Sequence, residues 1–207
     1  MRLRSQLLGA VLLCLTTYFC LLRIAEAKNE VAAGPGVFRL AEGHREEREA
    51  FERLRRQLEL LGQSVLSDRL ERLRAQGQIW AAPTLGPERW AVFVESLRLV
   101  RRIYIRRVAL IDPRAHLYEK GAADVSPAHQ EAFAWLSLGG ALRHELAHYD
   151  GLMDEAAAYD QELAWYEELR GSAFLASLQG GAREAWLWAL ESAVLSARKA
   201  AEAAKAS

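Results

Sequence analysis

Cysteine is almost absent from this chain of 207 residues. Cys14 and Cys20 both lie in the N-terminal apolar segment, so the body from residue 28 onward has neither disulfides nor thiolate chemistry. Charge of one sign is also lacking, because 27 basic and 27 acidic residues cancel and leave no overall attraction to nucleic acid. The sequence has no phosphate-binding glycine loop and no nucleophile-elbow motif. Any metal in the body must therefore be bound by histidine, aspartate or glutamate.

Residues 1–27 differ from the rest by a long uncharged run. Arg2 and Arg4 precede residues 5–22, which carry no charge, and the small-x-small pattern Ala25-Glu26-Ala27 follows. A positive start, an apolar run and such a site are typical of a secretory signal. A retained membrane anchor through residues 5–22 is the alternative, because the run approaches the length of a membrane span. With either outcome, we expect a protein that is exported to the cell envelope or secreted.

A linker and a helical region follow. Residues 28–44 include Gly34, Pro35 and Gly36 and show little periodicity, which favours a linker. Helical spacing of apolar residues predicts a helical region over 45–77, with a second helix that starts near Ser67. We expect its apolar stripe to pack into the domain, and a surface that binds a partner is the alternative. The stripe comprises Phe51, Leu54, Leu58, Leu61, Leu70 and Leu73.

The middle of the chain is rich in valine, isoleucine, phenylalanine and tyrosine. This composition predicts two strands within residues 90–111, the second over 99–111 and ended by Pro113. Residues 79–87 and 114–125 are typical of loops. Arginines crowd the second strand, which favours an edge strand protected by charge, with an acidic partner as the alternative. They are Arg98, Arg101, Arg102, Arg106 and Arg107.

The C-terminal half has helical patterns throughout. Ser126 followed by Pro127 is typical of a helix start, with serine as the N-cap and proline at the first helical position. Two helices joined by a short turn are predicted over 126–170, and a last helix over 182–205. With the small sheet, these patterns predict a helix-dominated α+β fold in which residues 45–207 form a single domain.

Two histidines one helical turn apart form the clearest candidate site. His144 and His148 share one face of the predicted helix, so both imidazoles reach one ion, and zinc accepts neutral imidazole nitrogen. Glu145 projects beside such an ion, where its carboxylate takes a proton from water. The run from His144 to His148, H-E-L-A-H, therefore predicts a Zn²⁺ site with Glu145 as general base.

A catalytic zinc commonly has a third protein ligand. The short segment after His148 predicts an antiparallel helix hairpin, which brings residues 154–158 level with the two histidines. Glu155 lies in this window and is the first choice. Asp154 is second, since we expect it to cap the following helix, and Glu162 is third, since it lies nearly two turns further along.

Tyrosines and small residues surround this motif. Tyr149, Tyr159 and Tyr166 are near enough to donate a hydroxyl to a developing oxyanion, and Tyr159, one turn after Glu155, is the best candidate. The small residues one to two turns before His144 are expected to let a strand or a substrate approach that face of the helix. They are Ser137, Gly140 and Ala141.

The H-E-L-A-H run resembles the signature of zincin metallopeptidases, and the segment E-A-A-A from Glu155 resembles the Glu-x-x-Ala helix of gluzincins. The resemblance implies a compact zincin-like core in which His144, His148 and Glu155 bind zinc and Glu145 is the base. It also implies an edge strand that holds extended substrate beside the active-site helix, for which residues 99–111 are the candidate. The spacing from His144 to Asp154 also matches the metzincin pattern H-E-x-x-H-x-x-G-x-x-D, but no methionine follows Met153 for the methionine turn of that group.

The sequence therefore predicts a zinc-dependent peptidase that acts on a peptide or protein substrate, without nucleic acid. The alternative is a non-catalytic envelope protein that holds a structural metal or none and binds a partner through helices 45–76. The two hypotheses differ in what they require of Glu145, because only a peptidase needs this carboxylate.

Overall fold

The structure, a computed structural model, describes residues 14–15, 17–28, 36–86, 88–119 and 125–206. Residues 17–28 form an N-terminal helix. A short 3-10 turn lies at Leu40–Glu42, and the described strands are β1 (Phe38–Arg39), β2 (Ile79–Ala82), β3 (Ala91–Ser96) and β4 (Val100–Arg106). The other described helices are α1 (Arg45–Leu60), α2 (Ser64–Ala75), α3 (Arg107–Ile111), α4 (Pro113–Glu119), α5 (Pro127–Tyr149), α6 (Glu155–Arg170), α7 (Ala173–Ser177) and α8 (Gly180–Ala206). The predicted helix-dominated α+β class is confirmed.

The four strands form one mixed sheet in the order β1-β2-β4-β3. β2 and β4 are parallel, whereas β1 and β3 run antiparallel to their neighbours. Ile103 and Ile105 of β4 face the main core, while Tyr104 lies on the opposite face with Trp80. This alternation follows from the two-residue period of a strand. We call the face that carries Trp80 and Tyr104 the outer face of the sheet.

β4 is a central strand, so the prediction that residues 99–111 form an edge strand is wrong. β4 pairs with β2 on one side and with β3 on the other. It also ends at Arg106, and residues 107–111 form helix α3. Arg107, the first residue of this helix, binds Glu46 and Glu47 of α1 through its guanidinium, each at 2.7 Å. Arg102 and Arg106 of β4 are buried and contact Glu26 and His116, so these arginines make internal contacts rather than protecting an edge.

Two segments predicted as loops are ordered elements. Residues 79–82 of the range 79–87 form β2, whose side chains are all buried. A strand buried on both faces lacks the alternating pattern by which strands are recognised in a sequence. The range 114–125 overlaps α4, which begins at Pro113. Asp112 Oδ1 accepts hydrogen bonds from the backbone N–H groups of the first turn, at 3.1 and 3.2 Å, and so starts a helix there.

The first two long helices occupy the predicted region 45–77. α1 matches the prediction, and α2 begins at Ser64, three residues before the predicted start at Ser67. The apolar stripe of both helices is buried in the main core with the sheet, as expected for packing within the domain. Gly62 has φ +79°, a left-handed conformation that allows the sharp turn between the helices.

Part of the segment expected to be a linker, 28–44, belongs to the fold. Phe38 and Arg39 form β1, and Leu40 is fully buried. Residues 29–35 lie outside the described part of the chain, as do residues 1–13 and 16 of the predicted export segment. Within the described residues, no helix combines the length and the apolar character needed to cross a bilayer.

One long helix of the C-terminal half, α5, packs on the sheet against β3 and β4, and two further long helices pack on α5. α5 and α6 form the predicted hairpin within 126–170, and α8 packs against both. α8 spans residues 180–206, slightly more than the predicted 182–205, and the short α7 was not predicted. Ser126 is the N-cap residue of α5, although its hydroxyl contacts Nδ1 of His129 at 2.6 Å rather than the helix backbone.

Candidate metal centre

The turn between α5 and α6 brings the two histidines and the start of α6 together. Gly151 has φ +98°, which lets its N–H bond the carbonyl oxygen of His148 at 2.9 Å and end α5. Asp154 then caps α6, since its Oδ1 accepts a hydrogen bond from the Ala157 N–H at 2.7 Å. The first residue of α6, Glu155, therefore lies level with His144 and His148, as the hairpin geometry predicts.

Three side chains converge on one point. Nε2 of His144 lies 3.0 Å from Nε2 of His148. The carboxylate of Glu155 faces both imidazoles, with Oε2 at 3.2 Å from His144 Nε2 and Oε1 at 3.4 Å from His148 Nε2. Tetrahedral zinc with bonds of about 2.0–2.1 Å places neighbouring ligand atoms about 3.3–3.4 Å apart. The three groups therefore have the chemistry and the spacing of a divalent cation site.

One of the two imidazoles is held by a hydrogen bond. Nδ1 of His148 lies 2.6 Å from the carbonyl oxygen of Leu152, which only accepts hydrogen bonds, so this nitrogen carries the proton and Nε2 is left with its lone pair. Nδ1 of His144 is buried and has no hydrogen-bond partner within 3.5 Å among the described residues. Oε2 of Glu162 lies 3.6 Å from this nitrogen. Glu162 is thus placed behind His144 rather than in the cluster.

Glu162 is held in this position by Tyr166. The tyrosine hydroxyl donates a hydrogen bond to Oε1 of Glu162 at 2.9 Å, and both side chains are buried. Burial raises the pKa of Glu162 to about 7, against the opposing effect of this hydrogen bond. Among the three carboxylates considered from the sequence, Asp154 is the helix cap, Glu162 lies behind His144, and Glu155 is the one in the cluster.

Glu145 lies beside the cluster and contacts the sheet. Its Oε2 accepts a hydrogen bond from the backbone N–H of Phe93, in β3, at 2.6 Å. Burial raises the pKa of Glu145 to about 8, the nearby charges of Glu155 and Glu162 add to the rise, and the Phe93 hydrogen bond opposes it. The contact with Phe93 was missed in the sequence, because no local pattern links residues that far apart.

Tyr159 packs directly on a candidate ligand. Its ring centroid is 4.3 Å from that of His144, and the side chain lines the same cavity as the cluster. Burial raises the pKa of its hydroxyl. Of the other tyrosines, Tyr166 is buried behind the site and Tyr149 packs edge-on against Phe93 at 5.9 Å. Both Tyr159 and Tyr166 line the cavity, but the Tyr166 hydroxyl is bonded to Glu162, whereas the Tyr159 ring packs on His144.

The small residues before His144 have two kinds of neighbour, the buried side chains of α6 and the cavity. A Cβ at Gly140 would lie 2.0 Å from the Tyr166 hydroxyl and 2.8 Å from Oε1 of Glu162, so only glycine admits this buried pair. The expectation that Gly140 opens the helix to a strand or substrate is therefore wrong. Ser137 and Ala141 do line the cavity in front of the helix.

A cavity of about 600 Å³ extends from the cluster along α5. Its walls come from β3 and the residues just before it, from one face of α5, from α4 and α6, and from the C-terminal helix α8. Besides the polar residues of the cluster, the lining includes the apolar side chains of Leu117, Phe133, Ala193 and Ala197. The α8 wall could not be found from the sequence, because its alanines and serines carry no signal that distinguishes a cavity wall from a packed helix.

Comparison of the chain with protein-family models, with curated proteins and with solved structures gives no match. The functional conclusion therefore depends on the geometry of the site. That geometry combines two converging imidazoles, a carboxylate from the next helix and a second, buried carboxyl at the edge of a cavity large enough for a substrate.

Proposed function

We propose that the protein is a zinc-dependent peptidase. The observation that supports this most directly is the convergence of His144, His148 and Glu155, whose ligand atoms all lie within 4.8 Å of one another. A structural zinc site is commonly closed by four protein ligands, whereas a catalytic site has three and an open position. Three ligands at the edge of a cavity, with Glu145 alongside, fit the second type.

The proposal includes a compact zincin-like core. In this core, α5 carries both histidines and α6 supplies the glutamate ligand, while β3 borders the cavity at the free edge of the sheet. Trp90 bonds to β4, since its carbonyl oxygen accepts from the Arg106 N–H at 2.9 Å. The next residues alternate in direction, so Ala91, Phe93 and Glu95 direct their backbone groups toward the free edge. β3, rather than residues 99–111, is then the strand beside which an extended substrate binds.

His144, His148 and Glu155 would hold the zinc ion, which would supply a Lewis acid to polarise a carbonyl group and to lower the pKa of water. Glu145 takes the proton of the attacking water and returns it to the leaving amine. A buried carboxyl with a pKa in the neutral range is suited to both transfers. The Tyr159 hydroxyl, at the cavity wall, donates a hydrogen bond to the oxygen on which negative charge develops.

The remaining residues hold the ligands. The Leu152 carbonyl oxygen holds the proton of His148 on Nδ1, and Glu162 accepts the corresponding proton of His144 after a shift of a few tenths of an ångström from the present 3.6 Å. Both imidazoles then present the lone pair of Nε2 to the cation. Gly140 makes this arrangement possible, because it admits the Glu162–Tyr166 pair against α5.

The test is the replacement Glu145→Gln in the full chain. We expect about one zinc per chain in both proteins, and loss of hydrolysis of a denatured protein substrate in the variant, because the amide cannot accept the proton. Glu131→Gln, on the exposed side of the same helix, is the matched control and should retain activity. A zinc-free preparation that remains fully active would refute the proposal.

The alternative of a non-catalytic partner-binding protein has less support than the peptidase. It uses the apolar stripe of helices 45–76 to bind a partner. That stripe is buried in the core of the domain, where Phe51, Leu54, Leu58 and Leu70 are at most 1% exposed. No apolar stripe of α1 and α2 is left for a partner on the described surface, apart from single side chains such as Leu60 and Val65.

A further inference from the structure

The N-terminal helix exposes large apolar side chains. Leu15, Tyr18, Phe19, Leu21 and Ile24 are between 42% and 60% exposed. With 100° per residue, these positions spread over about 220° of the helix circumference. A helix that docks in a protein groove buries one stripe, usually about 100° wide. The exposed apolar surface here is about twice as wide as such a stripe, which favours contact with lipid over docking in a protein groove.

The end of the same helix is part of the folded domain. Ala25 is fully buried. Oε1 of Glu26 lies 3.4 Å from Nη2 of Arg102, on β4, and the Arg102 side chain is 7% exposed. The guanidinium of Arg102 also lies 4.1 Å from the centre of the Trp80 ring, on the outer face of the sheet. The helix is therefore held on this face by the charge pair of Glu26 with Arg102, next to the buried Ala25.

These contacts favour retention of the N-terminal segment over its cleavage as a secretory signal. Cleavage after Ala27 would remove Glu26 and leave the nearly buried guanidinium of Arg102 without this carboxylate. Removing one partner of a buried pair is unfavourable, because the other charge stays desolvated. The N-terminal helix thus stabilises the folded domain, because it supplies the carboxylate that pairs with Arg102.

We propose that residues 17–28 remain part of the mature protein and attach it to the acyl region of a phospholipid bilayer, with the outer face of the sheet toward the membrane. In the sequence, the uncharged run continues from residue 22 back to residue 5, and Arg2 and Arg4 precede it. Basic residues at the end of an apolar segment favour the headgroups of anionic lipids. This proposal does not depend on the proposed peptidase activity.

The first experiment determines whether the segment is retained. The full chain is expressed with a C-terminal tag in a bacterial host, and the tagged protein is analysed by intact-mass spectrometry after fractionation. We expect the complete 23.2 kDa chain plus tag in the membrane fraction, resistant to a carbonate wash. A mature chain that begins at Lys28 would overturn the proposal.

The second experiment tests the lipid contact. Full-length protein is mixed with vesicles of phosphatidylcholine and phosphatidylglycerol and floated on a density gradient. We expect the double variant Phe19→Asp, Ile24→Asp to reduce the floated fraction at least tenfold, even in 1 M salt. The double variant Leu60→Asp, Val65→Asp is the matched control, since these side chains are 62% and 79% exposed on the body of the domain.

Equal flotation of both double variants would refute the assignment to the N-terminal helix. Wild-type protein that does not float, but forms dimers that the helix variant abolishes, would show that a second copy covers this surface instead.

The docking of the N-terminal helix on the sheet is tested by trypsin cleavage at Lys28 of vesicle-bound protein. Arg102→Gln should accelerate this cleavage at least fivefold, whereas Arg101→Gln, at the neighbouring arginine bound to Glu95, should not. Equal rates would refute the docking.

Discussion

Zinc affinity should distinguish the three carboxylates that the sequence offers as a third ligand. Glu155→Ala removes the group whose oxygens lie 3.2 and 3.4 Å from the two Nε2 atoms. Residues that only orient a ligand typically contribute 10- to 100-fold to metal affinity, so a ligand should contribute more. We expect a loss of ~100-fold or more, which is at least about 2.7 kcal/mol.

The other two carboxylates should have smaller effects. Glu162→Leu removes the acceptor behind His144 and should weaken zinc binding by about 10- to 100-fold, or about 1.4–2.7 kcal/mol. Glu162→Gln should lose less, because the amide oxygen still accepts a hydrogen bond from Nδ1. Asp154→Asn should leave the affinity unchanged, since asparagine caps a helix as well as aspartate does.

The assay is competition for zinc with a chromophoric chelator at neutral pH, on full-length protein whose helical content is checked by circular dichroism. The expected order of loss is Glu155→Ala first, then Glu162→Leu, Glu162→Gln and Asp154→Asn. An Asp154→Asn variant that binds zinc more weakly than Glu155→Ala would refute the assignment of Glu155. An unchanged affinity in Glu162→Leu would refute the role of Glu162 in holding His144.

Three further predictions concern the same region. Gly140→Ala should lower the free energy of unfolding by about 1–3 kcal/mol in urea denaturation and weaken zinc binding, because the new methyl group displaces Glu162 and its tyrosine partner. Tyr159→Phe should lower kcat by about 100-fold with unchanged zinc affinity, since the ring that packs on His144 remains. In zinc-free protein, the pKa values of Glu145, about 8, and Glu162, about 7, are raised, so these two carboxyls hold more protons in the native state than in the unfolded state between about pH 4.5 and pH 8. Their contribution to the free energy of unfolding should therefore fall as the pH rises through this window, by up to about 3 kcal/mol for Glu162, and Glu162→Gln should reduce the fall in urea titrations. Burial lowers the pKa of His144, which acts in the opposite direction below its ordinary value of 6.5, so the net fall is expected above about pH 6.5. A free energy that rises between about pH 6.5 and pH 8 would contradict the burial of these carboxyls.

The long helices and most of the candidate cluster could be predicted because both depend on local spacing. Apolar residues that recur every three or four positions define one face of a helix, so α1, α5 and α6 lie close to where the pattern places them. The same geometry places His144 and His148 on one face. The length of the turn then determines which carboxylate of the next helix lies level with them, and Glu155 is the residue that the structure brings there.

The sheet could not be predicted to the same extent, because strand pairing depends on residues far apart in the chain. The four side chains of β2 are all buried, so this segment lacks the alternation of apolar and polar residues, and its sequence pattern indicates a loop. The arginines of β4 indicate an edge strand, but β3 pairs with β4 on the side away from β2, so β3 is the edge strand. No feature of either segment indicates which of the two strands lies at the edge of the sheet.

The sequence by itself thus determined the long helices, the histidine pair and a short list of carboxylates, since each of these depends on residues within a few turns of one another. The tertiary structure alone decided which strand borders the cavity, which carboxyl lies behind His144, why position 140 must be glycine, and where the N-terminal helix docks. The physical reason is that these contacts join groups from separate elements. Their distances are set by how the helices and the sheet pack around one core, and no local pattern encodes that packing.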